Sequence, residues 1–314
     1  MQNTPYNFTN KINQTMKVLI YGYKGWIGSQ FTKLLDLHNI IYSEGKARVD
    51  NTEDVISELL ETSPTHVVSF IGRTHGKIDE KIYTTIDYLE QPNKLQDNIR
   101  DNLFSPLVLA FLCKKLNIHL TYLGTGCIFK YDKEHPFGQE TNGFTENSLP
   151  NFFGSSYSTV KGFTDQLMKF FDDTVVLNVR IRMPISGEYN TRNFITKITT
   201  YDKICSIPNS MTVLPELLPK VLDMMKKCII GTINLTNPGL ISHNEILDMY
   251  KRIVDPTFRW KNFSEKQQRL ILDSDRSNNF LDTHKLQQMY PDVKNIKESI
   301  ENVLVLYKEN LLKM

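Results

Sequence analysis

Short apolar runs alternate with segments of helical periodicity along the first half of the chain. Apolar runs at residues 17–21, 66–71, 118–123 and 175–181, and a weaker one at 40–42, predict strands. Apolar positions at helical spacing after residue 27, over residues 54–61 and 98–115, and from about residue 156 to 171 predict helices. Such alternation is typical of βαβ units, so we expect a parallel sheet with ligands at the carboxyl ends of its strands.

The pattern changes after Pro184. It predicts helices over residues 214–227 and 296–312 and a strand over residues 231–236. Ser242 and Glu245 have the spacing of a capping box, which predicts a helix running to about residue 254. We therefore expect a disordered leader over residues 1–15, a cofactor-binding domain over 16–185, and a substrate lobe over 186–314 that is grown onto the sheet, with the chain crossing between the two.

Composition narrows the class of protein. A chain of 314 residues suffices for one large α/β domain and a smaller lobe. A net charge of +2 argues against nucleic acid or an anionic membrane as a partner. No apolar run approaches the ~20 residues of a membrane-spanning helix, and residues 1–15 lack the apolar core of a signal peptide. Four scattered cysteines suit a reducing cytosol, and without HxxxH or HExxH spacing we expect no metal.

A glycine-rich loop joins the first predicted strand to the first predicted helix. Gly22, Gly25 and Gly28 have the GxxGxxG spacing of short-chain dehydrogenases, and Trp26 and Ile27 lie inside the same loop. Small residues there let the chain turn tightly and let a pyrophosphate approach the helix N-terminus. The loop predicts a dinucleotide site in a Rossmann-type, doubly wound parallel sheet, with a smaller mixed α/β lobe at the C-terminus.

The residues after the second predicted strand bear on the choice between NAD and NADP. Glu44 is placed to bind the adenosine ribose of NAD, whereas Lys46 and Arg48 are placed to neutralise the 2′-phosphate of NADP. Spacing alone leaves the two cofactors equally favoured.

A tyrosine and a lysine lie one helical turn apart at Tyr157 and Lys161. A positive charge near a phenol lowers its pKa, so Tyr157 is expected to exchange a proton with a carbonyl or alcohol. The same YxxxK spacing starts at Tyr42 and Tyr290, but only Tyr157 opens a helix well downstream of the glycine loop. Thr125, at the end of the preceding strand, is expected to supply a second hydroxyl to the same oxygen.

Longer strings make the chain similar to the bifunctional UDP-4-keto-6-deoxy-glucose 3,5-epimerase/4-reductases, which form the C-terminal part of rhamnose synthases and belong to the extended short-chain dehydrogenases/reductases. The similarity runs from about Lys17 to the C-terminal helix. Residues 72–77 depart from the family's usual segment, and residues 86–93 look like a local elaboration near the expected sugar pocket. The matching strings are GWIG at 25–28, TGCIF at 125–129, PNF at 150–152, RIRMPI at 180–185, RNFITK at 192–197, IPNSMT at 207–212, TNPG at 236–239, SHNEIL at 242–247 and RSNN at 276–279.

The resemblance implies a reaction. UDP-4-keto-6-deoxy-D-glucose, supplied by a UDP-glucose 4,6-dehydratase, would be epimerised at C3 and C5 and reduced at C4 by NADPH to give UDP-L-rhamnose. The family's preference thus tips the cofactor choice to NADPH. A reductase without epimerase activity, resembling the dTDP-4-dehydrorhamnose reductases, and a non-catalytic NADP-binding sensor are the alternatives, and the choice between UDP and dTDP stays open.

The same resemblance implies roles for single residues. A 4-keto group acidifies the protons on C3 and C5, so epimerisation needs an acid and a base on opposite faces of the ring. Cys127, two residues after Thr125, and Lys197, beyond the last predicted strand of the first half, match the family's pair. Asn102 matches the helix asparagine that supports the catalytic lysine in short-chain dehydrogenases.

The remaining candidates are substrate contacts and a subunit interface. Arg182, Asn193 and Arg276 are candidates for contacts with the nucleotide diphosphate, and Asn151 is a further candidate for substrate binding. We also expect a cytoplasmic homodimer, paired through the helix bearing Tyr157 and the helix before the fourth strand. Those helices carry more apolar positions than one buried face needs, namely Leu107, Leu109, Phe111 and Phe163.

Overall fold

The predicted parallel sheet lies at the centre of the molecule. The computed structural model describes residues 15–313, so the predicted leader lies outside the described residues apart from Thr15. The strands in that range are β1 (Lys17–Tyr21), β2 (Ile41–Glu44), β3 (His66–Ser69), β4 (Gly76–Ile78), β5 (Lys81–Tyr83), β6 (His119–Thr125), β7 (Val176–Ile181), β8 (Pro184–Ile185), β9 (Thr212–Val213) and β10 (Gly231–Asn234). Six of them form one sheet in the order β2-β1-β3-β6-β7-β10, every pair parallel.

Helices cover both faces of this sheet and build the C-terminal lobe. They are α1 (Trp26–Leu37), α2 (Thr52–Thr62), α3 (Leu95–Ile99), α4 (Ser105–Leu116), α5 (Ser156–Met168), α6 (Phe194–Thr200), α7 (Leu214–Lys226), α8 (His243–Ile253), α9 (Glu265–Gln268), α10 (His284–Met289) and α11 (Ile296–Leu311). Two short 3₁₀ segments, at Ile86–Glu90 and Lys169–Phe171, and a π-helical segment at Arg100–Phe104 complete the described helical structure. The predicted fold class is confirmed.

Both faces of the sheet are covered by helices, which explains why the strand sequences are continuously apolar. Val18 and Ile20 of β1 pack on the side of α1 and α7, while Leu19 and Tyr21 pack on the side of α2 and α4. Since successive side chains of a strand point to opposite faces, both faces of β1 are buried. We therefore look for functional groups in the loops that follow the carboxyl ends of β1, β3 and β6.

The chain places β2 on one side of β1 and β3 on the other, so the direction in which strands are added to the sheet reverses between β1 and β3. The segments after these strands meet there, because a Cβ on Gly22 would lie 3.0 Å from the backbone carbon of Phe70. In open α/β sheets, ligands bind at such a switch point, outside the carboxyl ends of the strands. The sheet topology thus places the glycine loop and the segment after β3 at the same crevice.

The C-terminal part both returns to the sheet and forms a lobe of its own. Strand β10 pairs with β7, so the sheet includes residues well beyond the predicted boundary at 185. The lobe has a separate apolar cluster built from β8, β9, α6, α8 and α11. The predicted capping box is confirmed, with Ser242 and Glu245 exchanging both hydrogen bonds at the start of α8. Among the described residues no helix is long and apolar enough to cross a membrane, and no group of three His, Cys, Asp or Glu side chains is arranged to hold a metal.

The helix predicted over residues 98–115 is interrupted by a π-helical segment at Arg100–Phe104. Pro106 has no N–H to offer the carbonyl of Asn102 four residues earlier. The hydroxyl of Thr164 on α5 donates to that carbonyl instead, at 2.7 Å. The interruption therefore ties this helix to α5, the helix that carries Tyr157 and Lys161.

Candidate active site

The glycine loop has the geometry of an anion cradle. Gly22 has a φ of +79°, and a Cβ on Gly28 would overlap the carbonyl oxygen of Gly22, so both positions need glycine. Gly25 is the N-cap residue of α1 and has no side chain, so it leaves the N–H groups of the first turn without a side-chain cap. Helix N-termini of this kind bind phosphate groups.

Two further residues of the loop fit a bound dinucleotide. The indole Nε1 of Trp26 is buried and has no hydrogen-bond partner in the described part of the chain. Buried donors are normally paired, so this N–H is available to a ligand. Ile27 packs against the apolar cluster between the sheet and helices α1 and α7, and this contact fixes the start of α1. The residues present therefore fit a dinucleotide.

The segment after β2 keeps its charged side chains at the surface. Glu58 accepts the backbone N–H of Lys46 at 2.6 Å and that of Ala47 at 3.2 Å, which fixes the turn. The side chains of Glu44, Lys46 and Arg48 are exposed, and Arg48 pairs with Asp50 at 3.0 Å. Both the acidic candidate and the basic candidates for binding the adenosine end of the cofactor are therefore accessible.

Tyr157 and Thr125 meet, as predicted, where β6 ends and α5 begins. The hydroxyl of Thr125 accepts the backbone N–H of Cys127 at 3.0 Å and also hydrogen-bonds to the phenol of Tyr157. Burial raises the pKa of Tyr157 above its ordinary value, the nearby Cys127 adds to the rise, and the Thr125 bond only partly offsets it. The predicted lowering of this pKa by Lys161 is therefore wrong for the free protein, in which the phenol is a protonated donor.

Lys161 has a partner that the sequence analysis missed. Its ammonium donates to the hydroxyl of Tyr122 on β6 and lies 4.6 Å from the centre of that ring. Burial lowers the pKa of Lys161 to about 8, against the opposing effects of Asp165 and Cys127. Nothing in the apolar run of β6 distinguishes Tyr122 from a core residue, so only the packing of α5 on the sheet shows its contact with the lysine.

Helix α5 is fixed to the sheet by a buried ion pair. Arg180 on β7 donates to both carboxylate oxygens of Asp165, at 2.8 and 2.6 Å, and Asn178 donates to the same carboxylate at 3.0 Å. Bidentate pairs of this kind are strong and directional. Because Asp165 lies one turn after Lys161, the pair holds in place the face of α5 that carries Lys161.

Asn102 makes no direct hydrogen bond to Lys161 among the described residues. Its side chain accepts the N–H of Arg73 and donates to the carbonyl of Arg73, both at 2.9 Å. It also donates to Asn98 at 2.8 Å, and Asn98 in turn donates to the hydroxyl of Ser156 at 2.9 Å. Asn102 therefore anchors the segment after β3 and links it to the start of α5.

Lys197 lies half-buried on α6, within a group of cationic side chains. Burial lowers the pKa of Lys197 to about 8, and repulsion from Arg192 and Arg276 contributes. Arg192 donates to Nδ1 of His75, which therefore carries its proton on Nε2. Burial, together with repulsion from Arg192, Arg73 and Lys197, lowers the pKa of His75 to about 4. These side chains therefore lie close enough together for their charges to interact.

The cations of this group differ in their partners. Arg73 pairs with Asp101, and Arg276 pairs with Asp87 at 2.6 Å. Arg192 and Lys197 have no carboxylate partner among residues 15–313. A partly buried cation without a counter-charge is unfavourable, so the space between them suits an anion. Sequence analysis missed Arg192 and His75, although the RNFITK string and the unusual segment 72–77 contain them.

A cavity of about 380 Å³ lies next to this group, between the segment before α5 and the C-terminal lobe. Asn151 shapes its wall by hydrogen bonds to the backbone of Lys130, at 2.8 and 3.0 Å, and to Asp132 at 2.7 Å. Aromatic and charged side chains share the lining, which consists of Lys130, Tyr131, Asp132, Phe137, Phe152, Gly154, Ile207, Glu265, Arg269, Asp275, Arg276 and Asn278.

Two predicted substrate contacts belong to the scaffold instead. Arg182 is 1% exposed and donates to the carbonyl of Gly126 and the hydroxyl of Ser277, both at 2.9 Å. Asn193 is fully buried, where it caps α6 and donates to two backbone carbonyls at 2.7 Å. Both predictions are corrected, because internal bonds occupy these side chains. They hold the Thr125–Cys127 segment and the helix of Lys197.

Comparison with known proteins agrees with this geometry. No family model matches the chain. Protein L780 of Acanthamoeba polyphaga mimivirus is 55% identical over 289 residues, which cover 92% of this chain and 98% of the viral protein. The crystal structure of the L780 UDP-rhamnose synthase matches with a TM-score of 0.88 at 54% identity, over 93% of this chain and 99% of that one.

A plant relative shows the bifunctional character of the group. The bifunctional dTDP-4-dehydrorhamnose 3,5-epimerase/dTDP-4-dehydrorhamnose reductase of Arabidopsis thaliana is 41% identical over 289 residues, which cover 92% of either chain. The predicted resemblance is confirmed. The chain belongs to the family of 3,5-epimerase/4-reductases of nucleotide-linked 4-keto sugars that includes the UDP-rhamnose synthases.

Proposed function

We propose that this protein converts UDP-4-keto-6-deoxy-D-glucose into UDP-L-rhamnose by epimerising C3 and C5 and then reducing C4 with NADPH. The observation that carries the proposal is Lys197, a partly buried amine with a lowered pKa and no counter-ion among the described residues. A reductase alone needs only Thr125, Tyr157 and Lys161. A second proton-transfer group beside Arg276, in addition to Cys127, is what epimerisation requires.

The C4 oxygen is stabilised from the sheet side. Thr125 and Tyr157 donate to this oxygen, which carries negative charge both in the enolate of epimerisation and in the alkoxide of reduction. Because burial raises the pKa of Tyr157, its proton stays on the phenol until the alkoxide takes it. Lys161, with a pKa of about 8, returns a proton to the phenolate.

The ring carbons exchange protons with Cys127 and Lys197. One group removes the proton from carbon, the C–H electron pair forms the C=C bond of an enolate, and the π pair of the carbonyl moves to the C4 oxygen. The carbonyl then re-forms as the other group delivers a proton to the opposite face of the same carbon. Cys127 is close enough to Tyr157 and Lys161 to affect the pKa of both. Lys197 approaches from α6 in the lobe. The two groups thus belong to different walls of the site.

The residues that would hold NADPH lie along the glycine loop and after β2. The first turn of α1, with Gly22, Gly25 and Gly28, would hold the pyrophosphate, with the indole N–H of Trp26 beside it. Arg48 would leave its ion pair with Asp50 and bind the 2′-phosphate instead. When bound, the cofactor supplies the hydride for C4. Tyr157 and Lys161 would complete the nicotinamide end of the site.

The nucleotide is bound on the lobe side in this proposal. Arg192 and Arg276 contact the diphosphate, because guanidinium groups match the geometry of phosphate oxygens. The base occupies the 380 Å³ cavity, against aromatic side chains such as Tyr131 and Phe152. UDP is the proposed nucleotide, supported by the similarity to the L780 UDP-rhamnose synthase. A 4,6-dehydratase of UDP-glucose would supply the keto sugar.

We further propose a homodimer in the cytoplasm. Phe111 on α4 and Phe163 on α5 are 62% and 53% exposed, which supports a pairing through these helices. Leu109 is fully buried in the core, so it drops out of the predicted interface, and Leu107 is half-buried. None of the four cysteines forms a disulfide within the described residues, as suits a reducing compartment. Light scattering should give the mass of a dimer for the wild type and of a monomer for Phe163→Asp, and a monomeric wild type would refute the pairing.

The reaction is tested by incubating the protein with NADPH and with the UDP and dTDP forms of the 4-keto-6-deoxy sugar, followed by NMR of the product. We expect UDP-L-rhamnose to form from the UDP sugar faster than dTDP-L-rhamnose forms from the dTDP sugar, and kcat/KM to be higher for NADPH than for NADH. A 6-deoxy sugar with unchanged configuration at C3 and C5 would instead identify a plain reductase.

A further inference from the structure

The 3₁₀ turn at Ile86–Glu90 carries two carboxylates that point the same way. A 3₁₀ helix has three residues per turn, so Asp87 and Glu90 lie one above the other. Tyr88 and Leu89 between them are buried, which fixes the turn in the protein. The turn falls within the segment 86–93, which the sequence analysis placed near the expected sugar pocket.

Glu90 holds the start of the helix that carries Tyr157. Its carboxylate accepts the backbone N–H of Ser156, the first residue of α5, at 2.6 Å. The first N–H groups of a helix have no partner within the helix, and a carboxylate there also complements the helix dipole. Burial raises the pKa of Glu90, and the Ser156 N–H partly offsets the rise. Since Tyr157 is the next residue, this bond sets the position of its backbone.

Asp87 holds the arginine in the wall of the nucleotide cavity. Both of its oxygens accept from Arg276, at 3.2 and 2.6 Å, and one also accepts from the hydroxyl of Ser274 at 2.9 Å. Thr85 donates to the same carboxylate at 2.6 Å. The plane of the Arg276 guanidinium is therefore defined by the 3₁₀ turn.

The turn is itself attached to two other segments. Gln91 donates to Asp273 at 2.8 Å and to the carbonyl of Asp87 at 2.9 Å. Gln91 also accepts from the hydroxyl of Tyr83 on β5 at 3.1 Å. These bonds join the turn to the β4–β5 hairpin and to the segment before Arg276, so the turn cannot shift without moving both.

We propose that the Ile86–Gln91 segment is a positioning element that sets the acid–base helix and the substrate-binding arginine relative to each other. Glu90 places Tyr157, and Asp87 places Arg276. Neither carboxylate touches a reacting atom. The inference rests on the proposed function, because it takes Tyr157 as the proton donor and Arg276 as a substrate contact.

The two carboxylates have different kinetic signatures in this account. Glu90→Ala should lower kcat roughly 10- to 100-fold with little change in KM, because a displacement of about 1 Å at a catalytic group has effects of that size. Asp87→Asn should raise KM and largely keep kcat, because Arg276 loses a charged, bidentate partner. Glu90→Gln keeps an acceptor oxygen and should recover most of the kcat that Glu90→Ala loses.

A second variant removes the same bond from the other side. Ser156→Pro deletes the N–H that Glu90 accepts, and proline is favoured at the first position of a helix. The preceding Ser155 is extended, with φ −147° and ψ 149°, as a residue before proline must be. Ser156→Ala is the matched control, since both changes remove the hydroxyl. Ser156→Pro should lower kcat as Glu90→Ala does, and the double variant should lose no more than either single variant.

Hydrogen exchange tests the anchoring without any substrate. The amides at the start of α5 should exchange faster in Glu90→Ala than in the wild type or in Glu61→Ala, which alters an exposed glutamate on α2. Unchanged exchange, or a wild-type kcat in both folded variants, would overturn this inference alone. A wild type that fails to convert the keto sugar, together with faster exchange in Glu90→Ala, would overturn the proposed function and support the anchoring of α5.

Discussion

The two walls of the active site are built in opposite ways. On the sheet side, Thr125, Tyr157 and Lys161 each have a partner within the protein, and Asp165 with Arg180 fixes their helix. On the lobe side, Lys197 and Arg192 have no carboxylate partner within the described chain. The sheet side is complete before substrate arrives, whereas the lobe side holds excess positive charge that an anionic substrate would neutralise.

The two lysines show this difference most clearly, because both have a pKa of about 8. At Lys161 burial lowers the pKa while Asp165 and Cys127 oppose the change. At Lys197 burial and the repulsion from Arg192 and Arg276 act in the same direction. The proton affinity of the first lysine is set by the fold, and that of the second by charges that a diphosphate would screen.

The largest effect is expected from removing the hydroxyl of Tyr157 on the sheet side of the site. Tyr157→Phe should slow both epimerisation and reduction by about 10²–10⁴-fold, because both transition states place negative charge on the oxygen that the phenol contacts. Deuterium uptake from solvent and NADPH oxidation measure the two reactions separately. Tyr42→Phe alters another tyrosine with YxxxK spacing and should leave both rates unchanged. Loss of only one reaction in Tyr157→Phe would show that the two do not share this group.

A smaller and different effect is expected from the lobe side. Arg192→Leu should raise KM for the nucleotide sugar about 10-fold or more and keep kcat within a few-fold, because a hydrogen bond to a charged group is worth about 1.5–3 kcal/mol. Steady-state kinetics of the variant and of Arg259→Leu, an exposed control in the lobe, measure the effect. An unchanged KM would place the diphosphate elsewhere.

The smallest effect concerns stability and pH. The pKa of Lys197 falls from 10.5 to about 8 on folding, so between these values the unfolded chain binds more protons and the free energy of unfolding rises with pH. The stability of the wild type relative to Lys197→Met should therefore increase from pH 7.5 to pH 9.5, as should that relative to Lys161→Met. Urea denaturation at the two pH values measures the differences. A constant or falling difference would contradict the lowered pKa values.

Local patterns were sufficient to predict the sheet side and most of the fold. The glycine loop, Thr125 and Tyr157 follow from the order of strand, turn and helix, which is encoded in short stretches of sequence. The partner of Lys161 was not predictable, because Tyr122 looks like any core residue of an apolar strand. The role of Asn102 depends on Pro106 and on a contact with Arg73, 29 residues away in sequence.

Matching strings could identify important residues without showing what they contact. Arg182 and Arg192 both lie in strings shared with the family, yet Arg182 is buried with its donors occupied while Arg192 is only partly buried and bonds to His75. The difference arises from long-range packing, because Arg182 bonds to Ser277, 95 residues away. No local pattern distinguishes a structural arginine from one that binds a ligand.

Solvent-exchange NMR on the Cys127→Ala and Lys197→Met variants tests most directly whether the two walls act together in epimerisation. Both variants should take up deuterium at C3 and C5 about 10²–10⁴-fold more slowly than the wild type and the Lys203→Met control. Both should still transfer hydride to an already epimerised UDP-4-keto-rhamnose at nearly the wild-type rate. Wild-type deuterium uptake in both variants would contradict the bifunctional account and leave a plain 4-keto reductase.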